Sequence, residues 1–188
     1  MRTRPSRTDI SRVLSHALRH APGEYGLTLD PQGWAPVSDV LAALHRLGPE
    51  WESVDKQELV EVLEAAEKKR HQMTSGRIRA VHGHSIPVEP VQAPSAPPPL
   101  LFHGTSPAVV PQILASGILP MRRQYVHLSD SVEQARQVGQ RKDAHPVILA
   151  VDTVMAAAQG VAFRRSESGV WLAAAIPAAA VSVSSSMP

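Results

Sequence analysis

The chain of 188 residues contains no cysteine, which excludes disulfides, thiolate metal sites and cysteine nucleophiles. No run approaches 18 uncharged apolar residues, so no membrane-spanning helix is expected. The basic start at Met1-Arg-Thr-Arg-Pro-Ser-Arg leads into no apolar stretch, so no secretory signal is expected. A cytoplasmic protein follows as the expectation. The sequence also lacks GxGxxG and GxxxxGK[ST], which removes support for a dinucleotide-binding Rossmann fold or a P-loop. It has nine histidines but no HExxH and no carboxylate at ligand spacing, so a metal site is not expected.

Charge is present but unevenly placed. Residues 1–70 carry 10 Lys/Arg against 11 Asp/Glu, and residues 71–188 carry 9 against 6, for a net charge of +2. Of the 19 basic residues, 15 are arginine. Arginine stays ionised and can grip a phosphate with two parallel donors, so this composition permits phosphate handling without demonstrating it.

Six of the 13 residues in 87–99 are proline. Such a stretch can neither continue a helix nor sit centrally in a sheet, and as polyproline it could reach roughly 40 Å. The expectation is therefore an α+β protein of two lobes, 1–86 and 100–188, with 87–99 as connector. In the first lobe Ile10, Val13, Leu14, Ala17 and Leu18 fall on one helical stripe, leaving Arg12, His16 and Arg19 on the opposite face. A second helix is expected from Ser38 as N-cap to Gly48, with Val40, Leu41, Leu44 and Leu47 inward. A third begins at Ser53–Asp55, with Asp55 and Glu58 as a capping box and Leu59, Val62, Leu63 and Ala66 inward. Arg77–Val81 alternates as a strand. Three helices and a strand suggest a winged-helix arrangement. The second lobe reads as strands at 100–103, 125–129, 146–151, 161–164, 170–174 and 180–184. Only two helices are expected there, 106–117 and 131–140.

Four clusters could carry chemistry: Leu18-Arg19-His20; Arg77-Ile-Arg79-Ala-Val-His82-Gly-His84-Ser85; Phe102-His103-Gly104-Thr105-Ser106; and the stretch from Arg122-Arg123 through His127 and Ser129 to Val138-Gly-Gln-Arg141. Each alone has an ordinary structural explanation, such as a surface Arg-His pair or a turn glycine between two histidines. Their order is more specific. The runs Leu14-Ser-His-Ala-Leu-Arg-His-Ala-Pro, Asp30-Pro-Gln-Gly-Trp-Ala-Pro-Val-Ser-Asp-Val-Leu, Arg77–Ser85, Leu101–Ser106, Val126-His-Leu-Ser, Val138-Gly-Gln-Arg and Ser168-Gly-Val-Trp-Leu closely resemble the RNA 2′-phosphotransferase (KptA-type) family, over about residues 10–183.

The resemblance implies a winged-helix-like RNA-binding lobe followed by a β-rich lobe of the ADP-ribosyltransferase type. It implies an enzyme that transfers an internal 2′-phosphate of RNA to NAD⁺ as co-substrate. The products would be 2′-OH RNA, nicotinamide and ADP-ribose 1″,2″-cyclic phosphate. The family's catalytic set maps to Arg19, His20, Arg79 and Arg141, with Arg123 as the alternative to Arg141. Its NAD⁺ contacts map to His84, Ser85, His103, Gly104, Thr105, Arg123, His127 and Ser129. No metal, membrane or obligatory protein partner is implied, and a monomer is expected. The chain departs from the family pattern at His82, Arg164 and Ser168, and its 48–76 segment is longer than usual. Two other readings stay open: protein mono-ADP-ribosylation through Glu167, and a winged-helix nucleic-acid-binding regulator.

Overall fold

Ser6 opens the first helix in the computed structural model, which describes residues 4–66, 69–89 and 92–184. The chain divides into two compact units, residues 1–91 and 92–188.

In the first unit, α1 spans Arg7–Arg19. The Ser6 hydroxyl accepts from the Asp9 N–H at 3.2 Å, and the Asp9 carboxylate accepts from the Ser6 N–H at 3.2 Å. This reciprocal cap satisfies two donors that a helix start leaves open. Ile10, Leu14, Ala17 and Leu18 are buried as the periodicity requires, and full burial of each large side chain contributes about 2 kcal/mol. The second helix, α2, runs Val37–His45, which corrects the expected start and stop. Pro36 takes the N-cap position, and Ser38 lies in the first turn with its hydroxyl donating to Asp39. The end falls three residues before Gly48, and Leu47 is exposed. Helix α3, Lys56–Glu64, has the expected N-cap: Asp55 accepts from the Glu58 N–H at 2.9 Å. The Glu58 carboxylate bonds Arg4 at 2.7 Å.

The strand expected at Arg77–Val81 is the centre of a small sheet. Strands β1 (Ala35–Pro36), β2 (His71–Thr74) and β3 (Arg77–Ala80) lie antiparallel in the order β1-β3-β2. Ser75 and Gly76, both at positive φ (47° and 76°), close the β2–β3 hairpin as a two-residue turn. The pattern on β3 is not the alternation expected, because Ile78, Arg79 and Ala80 are all buried. Packed among Leu14, Leu18, Leu44, Leu59 and Ile78, the helices and sheet share one core.

The second unit holds two three-stranded antiparallel sheets. One, in the order β4-β6-β9, comprises β4 (Leu100–Thr105), β6 (Val147–Asp152) and β9 (Val181–Val183). The other, in the order β5-β8-β7, comprises β5 (Val126–Leu128), β7 (Arg164–Arg165) and β8 (Trp171–Ala173). Paired backbone bonds between Phe102 and Ser129, at 2.8 and 2.9 Å, link β4 to the end of β5. A 3-10 turn, Pro107–Val109, leads into α4 (Val110–Ser116), and α5 spans Val132–Gly139. Ser106 precedes the turn as expected but makes no cap bond; its hydroxyl donates to Asp143 at 2.9 Å. A third helix, α6 (Thr153–Ala158), was not expected. Its N-cap Asp152 accepts from the Met155 N–H at 2.9 Å, a signal legible only once β6 is known to end there. The whole is α+β.

The described residues of the proline-rich stretch bond within their own units. The Glu89 N–H donates to the Pro31 carbonyl at 2.7 Å, the Ser95 N–H donates to Phe163 at 2.9 Å, and Thr153 donates to the carbonyls of Pro98 and Pro99.

Candidate active site

Within the first unit, three elements bring a cation-rich group together. Helix α1 ends in Arg19-His20, β3 supplies Arg79, and the chain beyond β3 turns at Gly83 (φ 88°) to deliver His84 and Ser85. Arg19 donates to the Arg70 carbonyl at 3.1 Å. The Ser85 N–H donates to the Arg19 carbonyl at 3.0 Å, and the Ser85 hydroxyl lies 3.0 Å from His20 Nδ1.

Arg79 is 3% exposed. Its Nε and one terminal nitrogen both donate to Gln72 Oε1, at 2.8 and 2.5 Å, across the β2–β3 ladder where the two residues are register partners. The guanidinium carbon stands 4.6 Å from the centroid of the Trp34 ring, a cation–π arrangement. Arg77, two residues away, contrasts with it by donating to the Asp30 carboxylate at 2.5 Å. The grip on Arg79 thus occupies two of its donors without adding a countercharge.

His84 is 8% exposed, and its Nε2 makes no hydrogen bond. Burial first, then the positive fields of Arg19, His20 and Arg79, lower its pKa to about 4. His71 on β2, near the Ser15 hydroxyl at 3.3 Å, is lowered to about 3 by burial and by Arg19, Arg70, His82 and His84. Both imidazoles are therefore neutral at pH 7. These shifts also place Arg19, His20, Arg79 and His84 within electrostatic reach of one another.

In the second unit, β4 ends in His103-Gly104-Thr105. His103 Nδ1 lies 3.0 Å from the His127 carbonyl. A carbonyl only accepts, so Nδ1 carries the proton and Nε2 the lone pair. Burial lowers the His103 pKa, partly opposed by that bond and reinforced by Lys142 and Arg123. Arg123 is 2.6 Å from His127 Nδ1. A guanidinium only donates, so His127 accepts at Nδ1. Burial and then the charge of Arg141 lower the Arg123 pKa, which brings these two arginines within each other's field. Gly104 sits against α5: a Cβ there would lie 2.0 Å from the Ala135 carbonyl oxygen. Thr105 at the end of β4 and Ser129 just past β5 are both buried.

Arg19, His20, Arg79, His84 and Ser85 thus belong to the first unit, and His103, Gly104, Thr105, Arg123, His127, Ser129 and Arg141 to the second. His84 and Ser85, grouped by resemblance with the NAD⁺ contacts, make their described contacts with Arg19 and His20. Sequence reasoning missed His71, Gln72 and the side-chain role of Trp34. Gln72 could have been found only through the β2–β3 register. Among the described residues no group of three or more His, Asp or Glu could hold a metal. Glu167 is exposed in the turn before β8.

Comparison with known proteins bears directly on these groups. Residues 5–175 match the model of the family described as "RNA 2'-phosphotransferase, Tpt1 / KptA family". The chain belongs to this family. Similar proteins bearing the name "Probable RNA 2'-phosphotransferase" include one from Bacillus thuringiensis subsp. konkukian, 45% identical over 176 residues, covering 94% of this chain and 95% of that one. Another, from Acetivibrio thermocellus, is 44% identical over 168 residues, covering 89% and 92% of the two chains. A third, from Agrobacterium fabrum, is 43% identical over 179 residues, covering 94% of each. The family match takes in every residue named in both clusters, from Arg19 to Arg141.

Proposed function

We propose that this RNA 2′-phosphotransferase family member removes an internal 2′-phosphate from RNA by transferring it to NAD⁺. The observation that carries the reading is the gathering of Arg19, His20 and Arg79 around a buried neutral imidazole, His84. A phosphate monoester bears about −1.5 to −2 charges near neutral pH and suits fixed guanidinium donors. Arg19 and Arg79 would bind it. By resemblance Arg141 is proposed as the fourth member of the family's catalytic set, and Arg123, which already donates to His127, as the partner of the NAD⁺ pyrophosphate. His103, Gly104, Thr105, His127 and Ser129 are assigned to the rest of NAD⁺. The lone pair on His103 Nε2 and the bare backbone at Gly104 support that assignment.

In the first step an oxygen of the RNA phosphate bonds to C1″ of the nicotinamide ribose, and the C1″–N bond breaks with its electron pair leaving on nicotinamide. In the second, O2″ attacks phosphorus, His20 takes the O2″ proton, and the P–O2′ bond breaks as O2′ gains a proton. Nicotinamide is already a good leaving group and the phosphate already an anion. The second step therefore depends most on a base and on guanidinium donors.

The three helices and the sheet ending in the β2–β3 hairpin support a winged-helix-like RNA-binding role for the first unit. The paired antiparallel sheets support an ADP-ribosyltransferase-like second unit. The exposed Arg12 and His16 on α1 offer an RNA-facing surface. A cytoplasmic monomer belongs to the same reading; the cysteine-free sequence supports the location, and no step needs a second copy.

The test uses RNA bearing one labelled internal 2′-phosphate, with NAD⁺ in EDTA. Conversion to 2′-OH RNA with stoichiometric nicotinamide is expected. Nicotinamide release that ignores the RNA phosphate, or none at all, would overturn the proposal.

A further inference from the structure

We infer that Ser85 is a positioning residue that fixes the tautomer of His20, so that Nε2 is the nitrogen that works on the substrate. The inference rests on the proposed role of His20 as proton acceptor.

His20 follows the last turn of α1 and is exposed, so packing alone does not lock its ring. Ser85 reaches it from 65 residues away along the chain. Two contacts hold Ser85 in place. Its N–H donates to the Arg19 carbonyl at 3.0 Å, and its Oγ lies 3.5 Å from the same oxygen. The residue that touches His20 is therefore tied to the residue just before His20.

A hydroxyl has one proton and two lone pairs, whereas a carbonyl oxygen only accepts. With the Ser85 proton directed to the Arg19 carbonyl, Oγ accepts from His20 Nδ1–H at 3.0 Å. The opposite arrangement, hydroxyl donating to Nδ1, would break as soon as the ring took up a second proton. The Nδ1–H donor is kept in both protonation states. A base that gains a proton at Nε2 and later gives it up can then work without turning its ring.

Ser85→Ala removes the hydroxyl and leaves the backbone bond to Arg19 intact, while Ser85→Thr keeps a hydroxyl. The experiment joins two readouts on the full chain. Long-range ¹H–¹⁵N spectra of histidine-labelled protein, with His20 assigned by its loss in His20→Ala, report which ring nitrogen is protonated. Single-turnover assays with 2′-phosphorylated RNA and NAD⁺ report the second step.

For wild type and Ser85→Thr we expect protonated Nδ1 and unprotonated Nε2. Ser85→Ala should shift toward the mixed tautomers of free imidazole. It should also slow conversion of the ADP-ribosylated RNA by roughly tenfold, the scale expected for losing one neutral hydrogen bond. The KM for RNA should change little. A lone pair on Nδ1 in wild type, or unchanged tautomer and rate in Ser85→Ala, overturns the inference. Full phosphate removal by His20→Ala would instead overturn the assignment of His20 as base, whatever the spectra show, and the inference with it.

Discussion

Lowering the pH should destabilise the first unit through two buried histidines, and the size of the effect follows from their shifts. His71 falls from the ordinary 6.5 to about 3, and His84 to about 4. Between those values and 6.5 the unfolded chain binds protons that the folded unit refuses. Stability is therefore complete above about pH 6.5 and declines as pH falls toward 3–4. At pH 5 each group costs about 2 kcal/mol relative to pH 8, from 1.36 kcal/mol per pH unit over roughly 1.5 units. His71→Gln replaces one titrating ring with an amide that cannot ionise. It should remove about half of this acid-induced loss, whatever its effect at pH 8. The assay is urea unfolding at pH 8 and pH 5, followed by the fluorescence of Trp34 and Trp51 in a Trp171→Phe background, so that the signal comes from the first unit. An equal loss in wild type and His71→Gln would refute the reasoning.

Gln72→Ala should loosen Arg79, and Gln72→Glu should hold it but add a negative charge beside the phosphate. Each is expected to raise the KM for 2′-phosphorylated RNA roughly tenfold, about 1.4 kcal/mol, a typical cost for a lost or opposed charged hydrogen bond. If Gln72→Glu bound RNA as well as wild type while Arg79→Ala did not, charge-neutral positioning would be wrong. Gly104→Ala should destabilise the second unit by about 3 kcal/mol or more, because its Cβ would lie 2.0 Å from the Ala135 carbonyl oxygen. Thermal unfolding of this variant at the wild-type temperature would sink the argument for that close approach.

Helices with long apolar stripes and local caps were legible in the sequence. The stripe Ile10–Leu18 and the cap at Asp55 carry their own signals within four residues. Elements that depend on distant partners were not. β2, His71–Thr74, shows no apolar alternation, and only its pairing with β3 makes it a strand. The start of α2 was misplaced because Ser38 satisfies its hydroxyl on Asp39, while the Val37 N–H bonds the Gly76 carbonyl in the hairpin turn. For the site, Arg19, His20, Arg79 and Arg141 came from the order of motifs. The groups that aim or burden them, Gln72, Trp34, Ser85 and His71, became visible only through register and turns.

The choice of neutral groups around the arginines has a physical logic. The positive fields of Arg19, His20 and Arg79 repel a proton on His84. An acid at position 84 would relieve that repulsion, yet it would also cancel the field that draws in a phosphate. A lysine there would add to the repulsion. An imidazole kept neutral by burial fills the space while doing neither. The same holds for Gln72, which orders Arg79 through two bonds to an uncharged oxygen. Binding and stability are then linked: whatever anion the cluster selects should also protect the first unit from acid, since its charge favours the protonated form of His84 rather than penalising it.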